Sequence, residues 1–246
     1  MRLVLFTAAL LLATPAWAQD DAELARELLN GTDDMYRGDS SHATLTMNVK
    51  TARFTRSLTM ESWSKGEEKS LIRILSPAKE KGVTTLKVGE NIWNYLPRVD
   101  RTMKVPSGMM GGSWMGSHFS NDDLVKESRM ADDYTFVITQ RPADGVGSWV
   151  IECTAKHDAA VVWGKVVATV RPDKLPDNIQ YFDEKGVLIR TMAFKDHKEI
   201  DGRTMPSRML LTPEDKPGEY TEVIYDALSF SETVPDSMFS LQELKK

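Results

Sequence analysis

The chain has 246 residues, a formal net charge of −5 at pH 7 and one cysteine. An acidic chain without a basic stripe is not typical of proteins that bind nucleic acid or adhere tightly to anionic membranes. A single cysteine excludes an internal disulfide, so the fold must depend on its hydrophobic core and on strand pairing. We therefore expect no nucleic acid among the partners.

The N-terminus has the pattern of a cleaved signal peptide. Arg2 precedes an apolar run over residues 3–13, and Ala16-Trp17-Ala18 places small residues at the two positions that a signal peptidase recognises. The run is shorter than the roughly 20 apolar residues that cross a bilayer. We predict cleavage after Ala18, export of the mature chain and one soluble domain over 19–246.

The first element of the mature chain is predicted to be one amphipathic helix over about 21–37. Leu24 and Leu28 recur at helical spacing behind an N-cap pair that begins at Asp20, and Gly38 ends the pattern. The apolar stripe of this helix requires a surface to pack against.

From residue 42 the hydrophobic period changes to two, which indicates half-buried strands. Leu45 and Met47 alternate with polar residues on the first strand, Leu58 and Met60 continue the pattern on the second, and a third strand is predicted over 71–75. Further strands alternate with turn signals as far as residue 230, which predicts roughly ten or eleven strands in total.

Three local features complete the predicted fold. Asp201-Gly202 is the strongest turn signal, because a two-residue hairpin of type I′ needs positive φ at both central residues. Cys153 lies in a strand-like run and is predicted to be a buried, unreactive thiol. Residues 235–244 are predicted to form a short helix or turn. The side chains predicted to pack there are Met238, Phe239 and Leu241.

A twisted sheet of about ten strands curls instead of staying open. A curled sheet with one apolar face forms a trough, and another part of the chain must cover it. The two candidates are the N-terminal helix and an interruption of the strand pattern at residues 106–126, which we call the lid. The predicted fold class is mainly β.

The lid combines glycines with large, flexible apolar side chains. Met103 precedes it, and it contains Met109, Met110, Trp114 and Met115. Methionine adapts to partners of variable shape, and glycine allows a backbone to open. Two interpretations remain open: a mobile cover over a ligand-binding trough, or an irregular loop whose methionines fill the core.

The middle of the chain resembles a known family. Residues 93–97 are W-N-Y-L-P, arginines follow at 98 and 101, and residues 114–124 are W-M-G-S-H-F-S-N-D-D-L. This order resembles the outer membrane lipoprotein-sorting protein family, which is related in fold to the periplasmic carrier LolA. The family pattern is W-x-Y-L-P, arginine, and then a phrase close to F-M-G-S-D-F-S-Y-E-D-L. Trp114, His118 and Asn121-Asp122 depart from it, and the resemblance covers nearly all of 21–246.

The resemblance implies a half-open antiparallel β-barrel with a helical and loop lid over its concave face, and an apolar cavity for acyl chains. It implies a periplasmic carrier that moves a lipoprotein or lipid toward the outer membrane. The implied partners are an inner-membrane transporter of the RND or ABC type and an outer-membrane acceptor. The alternative is a sensor or adaptor for an inner-membrane transporter or protease, without lipid cargo. LolA has a contact between its lid and an arginine of an early strand, and both Arg53 and Arg56 match that arginine by position.

The predicted ligand-binding residues combine inward strand positions with the apolar side chains of the lid. They are apolar because an acyl chain offers only dispersion and hydrophobic contacts. The set is Leu45, Met47, Leu58, Met60, Ile72, Ile74, Trp93, Tyr95, Met103, Met109, Met110, Trp114, Met115 and Phe119.

Catalytic and metal-binding motifs are not found in the sequence. Residues 111–115 are G-G-S-W-M and fail the G-x-S-x-G pattern of a serine hydrolase. The histidines are scattered and form no metal-ligand spacing. His118 with Asp122 and Asp123 is the one acid–base cluster, and we interpret it as helix capping and surface polarity. We expect no enzyme activity, metal or cofactor, and a lipid-active hydrolase is the remaining rival.

Overall fold

The computed structural model describes residues 16–36, 38–126, 133–159 and 161–246. The predicted signal peptide lies outside these ranges except for its last three residues. Within the described ranges, no helix is both long and apolar enough to cross a bilayer.

The described residues form two α-helices, thirteen strands and several 3₁₀ turns. The helices are α1 (Ala16–Asp34) and α2 (Asp123–Lys126). The strands are β1 (Ser40–Lys50), β2 (Thr55–Lys65), β3 (Lys69–Ser76), β4 (Thr84–Val88), β5 (Asn91–Leu96), β6 (Arg101–Lys104), β7 (Tyr134–Gln140), β8 (Trp149–Ala155), β9 (Lys165–Val170), β10 (Pro176–Phe182), β11 (Leu188–Ile200), β12 (Arg203–Pro213) and β13 (Tyr220–Ser229). The 3₁₀ turns are Pro97–Val99, Ser107–Met109, Trp114–Gly116, Asp236–Phe239 and Glu243–Lys245.

The thirteen described strands form one antiparallel sheet in the order β6-β5-β4-β3-β2-β1-β13-β12-β11-β10-β9-β8-β7. The sheet does not close, because β6 and β7 are its two edges. The prediction of a mainly β, half-open antiparallel architecture is confirmed. The predicted number of strands, ten or eleven, was too low. In the second half of the chain, turn signals marked the strands, and a clear alternation of polar and apolar residues did not.

Helix α1 begins and ends earlier than predicted. It starts at Ala16, upstream of the expected Asp20 cap, because alanine and glutamine in this stretch favour a helix. It ends at Asp34, since threonine and aspartate before that point are weak helix formers. Leu28 and Leu29 are buried against the sheet, so α1 covers one side of the trough as expected.

The pairing register separates the two faces of the sheet, because directly paired residues share a face. The inner face carries α1, the lid and the main core. Across β1 to β6, one inner row is Ala43, Ser62, Ile72, Thr85, Asn94 and Met103. The adjacent outer row is His42, Trp63, Leu71, Leu86, Trp93 and Lys104.

The inner face continues through the second half of the sheet with closely packed apolar residues. Ile151 pairs with Ala168, which pairs with Ile179, and all three are buried. Cys153 belongs to this face and is fully buried, so the prediction of a buried thiol is confirmed.

The C-terminal segment packs on the outer face. Phe239 and Leu244 join a second hydrophobic cluster with Trp63 and Leu71, and Met238 packs against it. The prediction was wrong for Leu241, which is 50% exposed. Leu244 takes its place because it follows in the final 3₁₀ turn, which returns toward the sheet.

The turn at Asp201-Gly202 has the predicted geometry. Its two residues have φ values of 48° and 78° and connect β11 to β12 directly. Positive φ at both positions matches the right-handed twist of the flanking strands. This prediction is confirmed.

Candidate functional site: a cavity beside the lid

The lid lies on the inner face of the sheet. Strand β6 lies at one edge of the sheet and β7 at the other, and they are consecutive strands in the chain. The lid belongs to the connection between these edges, and its Trp114 and Phe119 are part of the main core on the inner face.

Local hydrogen bonds give the lid a defined shape. The backbone N–H of Trp114 donates to the Phe119 carbonyl at 2.7 Å, which closes a small loop. Ser120 and Asp123 form a capping box: the Asp123 N–H donates to Ser120 Oγ, and the Ser120 N–H donates to Asp123 Oδ2. Asp123 therefore has the capping role expected from the sequence, at the start of the short helix α2.

Arg56 lies against the lid at Gly116. A Cβ at Gly116 would approach Arg56 Nη2 to 3.3 Å, and the φ of Gly116 is +68°, so a side chain would be strained there. Arg56 Nη1 also donates to Glu80 Oε1 at 3.0 Å. Arg53 is exposed, so Arg56 is the arginine of the early strands that meets the lid.

The aromatic side chains of the lid fill part of the trough. Trp114 is only 6% exposed, and its indole N–H donates to Thr85 Oγ1 on the inner face at 3.1 Å. Phe119 is buried and Met115 packs against the same core. Met109 differs from the expectation that it enters the trough, because it is 61% exposed.

His118 does not form the predicted cluster with Asp122 and Asp123. Its Nδ1 lies 2.8 Å from Thr221 Oγ1 and its Nε2 lies 3.0 Å from Glu219 Oε2. The His118 side chain is buried and faces the sheet, so the interpretation as surface polarity was wrong. The hydrogen bond from His118, together with one from the Ala52 N–H, lowers the pKa of the Glu219 carboxyl.

Asp123 instead binds Arg190 on β11. The guanidinium donates two hydrogen bonds to the carboxylate, of 2.8 and 2.5 Å, and the two side chains are 7% and 12% exposed. Arg190 also lies 4.4 Å from the ring centroids of Trp163 and Tyr181. This ion pair joins the end of the lid to the second half of the sheet.

A cavity of about 180 Å³ lies beside this ion pair. A water molecule needs only about 10–15 Å³ on the same kind of measure, so the space can hold a substantial chemical group. The cavity is bordered by the inner face, the end of α1, the lid and the loop before β9. Its lining is Thr32, Tyr36, Ser41, Ala43, Ser62, Ser64, Ser70, Asp122, Asp123, Asp133, Tyr134, Val161, Val162, Trp163, Val166, Ile179, Tyr181, Phe194, Met209 and Tyr225.

The structure places the predicted ligand-binding residues around the lid and not on the wall of this cavity. Those buried beneath or within the lid are Leu45, Met47, Leu58, Met60, Ile74, Trp114 and Phe119. Ile72 and Met115 pack at the border of that core, and Met103 and Met110 are half-buried. Trp93 and Tyr95 lie on the outer face against the C-terminal segment, since they pair with Leu86 and Thr84 in an outward register.

The sequence reasoning missed the serines of the cavity. On β1, Ser41 lies an even number of residues from the inward-facing Leu45, so both face inward. The same holds on β2 for Ser62 and Ser64 relative to Met60. Ser70 shares the parity of Ile72 on β3. The period-two pattern therefore already assigned these serines to the inner face, but the predicted acyl-chain ligand led only to apolar side chains.

The described residues contain no group of three or more His, Cys, Asp or Glu side chains placed to hold a metal ion. Chemically, the arrangement offers a concave space with a wall of serine hydroxyls and a mainly apolar opposite wall. It is suited to holding a ligand with both kinds of surface.

A family model described as "Uncharacterized protein" matches residues 66–246. The chain belongs to this family. Among curated proteins, none matches the sequence significantly.

Several solved structures share the fold over almost their whole length. A DUF1329 family protein from Desulfovibrio piger has a TM-score of 0.80 and 22% identity, covering 91% of this chain and 99% of that one. An outer membrane lipoprotein-sorting protein domain from Vibrio parahaemolyticus has a TM-score of 0.76 and 23% identity, covering 93% and 100%. A LolA superfamily protein from Nitrosomonas europaea has a TM-score of 0.72 and 21% identity, covering 89% and 98%. The resemblance found in the sequence is confirmed at the level of the fold.

Proposed function

We propose that the protein is a periplasmic, non-catalytic carrier that holds the apolar part of a lipid or lipoprotein between its lid and the inner face. The observation that carries this proposal is the cavity of about 180 Å³ directly beside a lid that packs on the inner face of an open sheet. The predicted signal peptide supports export. The lipoprotein-sorting name of a neighbour with the same fold supports the class of cargo.

Binding must be strong enough to take a lipid tail out of water and weak enough to release it. Each buried CH₂ contributes about 0.8 kcal/mol, so an acyl chain of about 16 carbons gains on the order of 12 kcal/mol before the costs of ordering. Trp114 and Phe119 occupy the trough in this structure. Because they compete with the ligand for the same surface, they reduce the net affinity and favour release.

A longer ligand requires the lid to move. Displacement of Trp114 and Phe119 would expose the apolar strand residues below them, and we propose that these complete the binding surface with the cavity. This proposal retains Leu45, Met47, Leu58, Met60, Ile72 and Ile74 as ligand contacts, with Met110, Met115 and Met103 at the rim. Trp93 and Tyr95 are not part of it, since they face the opposite side of the sheet.

The proposed partners follow from the task of a carrier. An inner-membrane transporter of the RND or ABC type would supply the cargo, and an outer-membrane acceptor would receive it. The rival function is an adaptor without cargo. The tightly packed Trp114 is the observation that favours the rival, because an adaptor needs no opening of the lid.

Extraction of the purified protein with organic solvent, followed by lipid mass spectrometry, tests the proposal. Ala43 lines the cavity on β1, and its neighbour Thr44 points to the outer face. We expect the wild type and Thr44→Phe to yield lipid in proportion to protein, and folded Ala43→Phe or Ser62→Phe to yield much less. An empty wild type, or equal lipid in all variants, would show that the cavity carries no cargo.

A further inference from the structure

The cavity has a strip of serine hydroxyls on one wall. Ser41, Ser64 and Ser70 are successive cross-strand partners on β1, β2 and β3, and Ser62 lies two residues from Ser64 on the same face. All four line the cavity. We call this wall the serine strip.

The serine strip has more hydrogen-bonding capacity than the protein uses. Ser41 Oγ and Ser64 Oγ are 2.7 Å apart and both side chains are buried. Two hydroxyls have two protons and their mutual bond uses one, so one buried donor remains without an acceptor among the described residues. In the same described part of the chain, the hydroxyls of the half-buried Ser62 and Ser70 have no hydrogen-bond partner. The spare donor of the buried Ser41–Ser64 pair is costly to leave unpaired, so it favours a ligand that accepts from it, and the Ser62 and Ser70 hydroxyls are available to bond the same ligand.

The opposite wall is mainly apolar. Val166, Ile179, Phe194 and Met209 from the second half of the sheet line it, together with the rings of Tyr134, Tyr181 and Tyr225. Hydroxyls on one side and hydrocarbon on the other fit an amphiphile whose polar part lies inside the cavity and not in solvent.

The charge of the lining excludes an anionic head group as the best occupant. Asp122, Asp123 and Asp133 line the cavity, and among the described residues of the lining there is no lysine, arginine or histidine. Arg190 lies behind Asp123 and is bonded to it. A carboxylate or phosphate placed here would meet like charges in a region of low dielectric.

We infer that the cavity selects an uncharged amphiphile that bears free hydroxyl groups, of which an acylglycerol is the representative class. This inference rests on the proposed carrier function and names the head-group chemistry of its ligand. The hydroxyls of the ligand bond to Ser62 and Ser70, and its ester carbonyl accepts the spare proton of the Ser41–Ser64 pair. Its chain lies along the apolar wall.

The test uses three probes with the same chain: 1-monolaurin, methyl laurate and lauric acid, titrated at about pH 8 into delipidated full-length protein by calorimetry. Monolaurin has two hydroxyls, methyl laurate has none, and laurate is anionic. Each hydrogen bond gained corresponds to about a fivefold change in Kd. We expect monolaurin to bind at least fivefold more tightly than methyl laurate, and laurate to bind most weakly.

Serine-to-alanine variants test whether the serine strip causes the preference for monolaurin. Ser62→Ala with Ser70→Ala should weaken monolaurin by about fivefold or more and leave methyl laurate unchanged, and Ser62→Ala alone gives the same direction if the double variant is unstable. The matched control is Ser57→Ala, which lies on the outer face of the same strand. Equal affinity for monolaurin and methyl laurate, tighter binding of laurate, or an equal loss for both neutral probes would overturn the inference. Binding of none of the probes would instead contradict the carrier function itself.

Discussion

The inner face has two ends that differ in chemistry and in occupancy. Under the lid, apolar residues such as Met47 and Leu58 are fully buried in the same core as Trp114 and Phe119. Toward the ends of β1 and β2 where serines replace them, the lid does not fill the trough and a cavity remains. The aromatic side chains of the lid thus fill the apolar end of the trough, and the hydroxylated end can accept another molecule.

The opening of the lid and the selection of the ligand therefore depend on different residues. Packing of aromatic side chains holds the apolar end closed. Hydrogen bonds and the Asp123–Arg190 ion pair define the other end. Substitutions at the two ends should therefore separate stability from selectivity.

The largest expected effect is at the filled end. Trp114→Ala removes a buried indole and its bond to Thr85, and we expect a loss of about 3–5 kcal/mol in the free energy of unfolding, measured by urea denaturation. Met109→Ala, in the same lid but exposed, should change it by less than about 0.5 kcal/mol. Similar values for the two variants would mean that the lid does not pack into the trough.

The second effect concerns the ion pair at the cavity end. Asp123→Asn leaves Arg190 buried with an uncompensated charge, which we expect to cost about 3 kcal/mol. Asp173→Asn breaks the exposed pair with Arg171 and should cost no more than about 1 kcal/mol. Urea denaturation of both variants measures the contrast, and an equal cost would show that burial of the lid ion pair is unimportant.

A smaller effect depends on acid pH. The folded-state pKa of Glu219 lies below its ordinary value of 4.5 because His118 donates a hydrogen bond to it. Its contribution to stability is therefore present above about pH 4.5 and is lost as the pH falls through the lowered value. Fluorescence of the buried Trp114 should report loosening of the lid in this range, and Glu219→Gln should remove that component. An identical acid transition in the variant would separate Glu219 from the closure of the lid.

The smallest effect lies on the outer face and serves as a contrast. Burial of the His42 ring lowers its pKa, but hydrogen bonds with Glu61 and Glu232 outweigh this and raise the pKa above 6.5. The stabilisation is complete below pH 6.5 and is lost as the pH rises through the raised value. His42→Gln should narrow the difference in urea midpoint between about pH 5.5 and pH 9 without changing ligand affinity. A change in affinity would contradict the separation of the two faces.

The architecture could be predicted because it follows from local patterns. Alternation around Leu45 and Leu58 assigned the inner face, and Asp201-Gly202 fixed a hairpin, since both signals arise from neighbours in the chain. The location of the lid also followed from its composition. The half-open form of the barrel was predicted from the resemblance of residues 93–124 to the family pattern.

The site was harder to predict because its partners are distant in sequence. Trp93 and Tyr95 were assigned to the ligand on composition, and only the register with Leu86 shows that they face outward. His118 meets Glu219 and Asp123 meets Arg190 through contacts that only the folded sheet creates. The inward orientation of the serine strip was predictable, because its serines lie an even number of residues from inward-facing apolar residues of the same strands.

In the proposed carrier, the lid must leave the inner face for cargo to enter. The backbone nitrogen and the ring Nδ1 of His118 lie 2.9 and 2.8 Å from Thr221 Oγ1, so we choose His118→Cys with Thr221→Cys to crosslink the lid to β13, and mass spectrometry checks that the disulfide forms. Cys153 is buried and does not compete. Uptake of Nile red, an uncharged apolar dye, should be at least tenfold slower in the oxidised double variant and should recover fully on reduction. Equal uptake by the oxidised and reduced forms would contradict the claim.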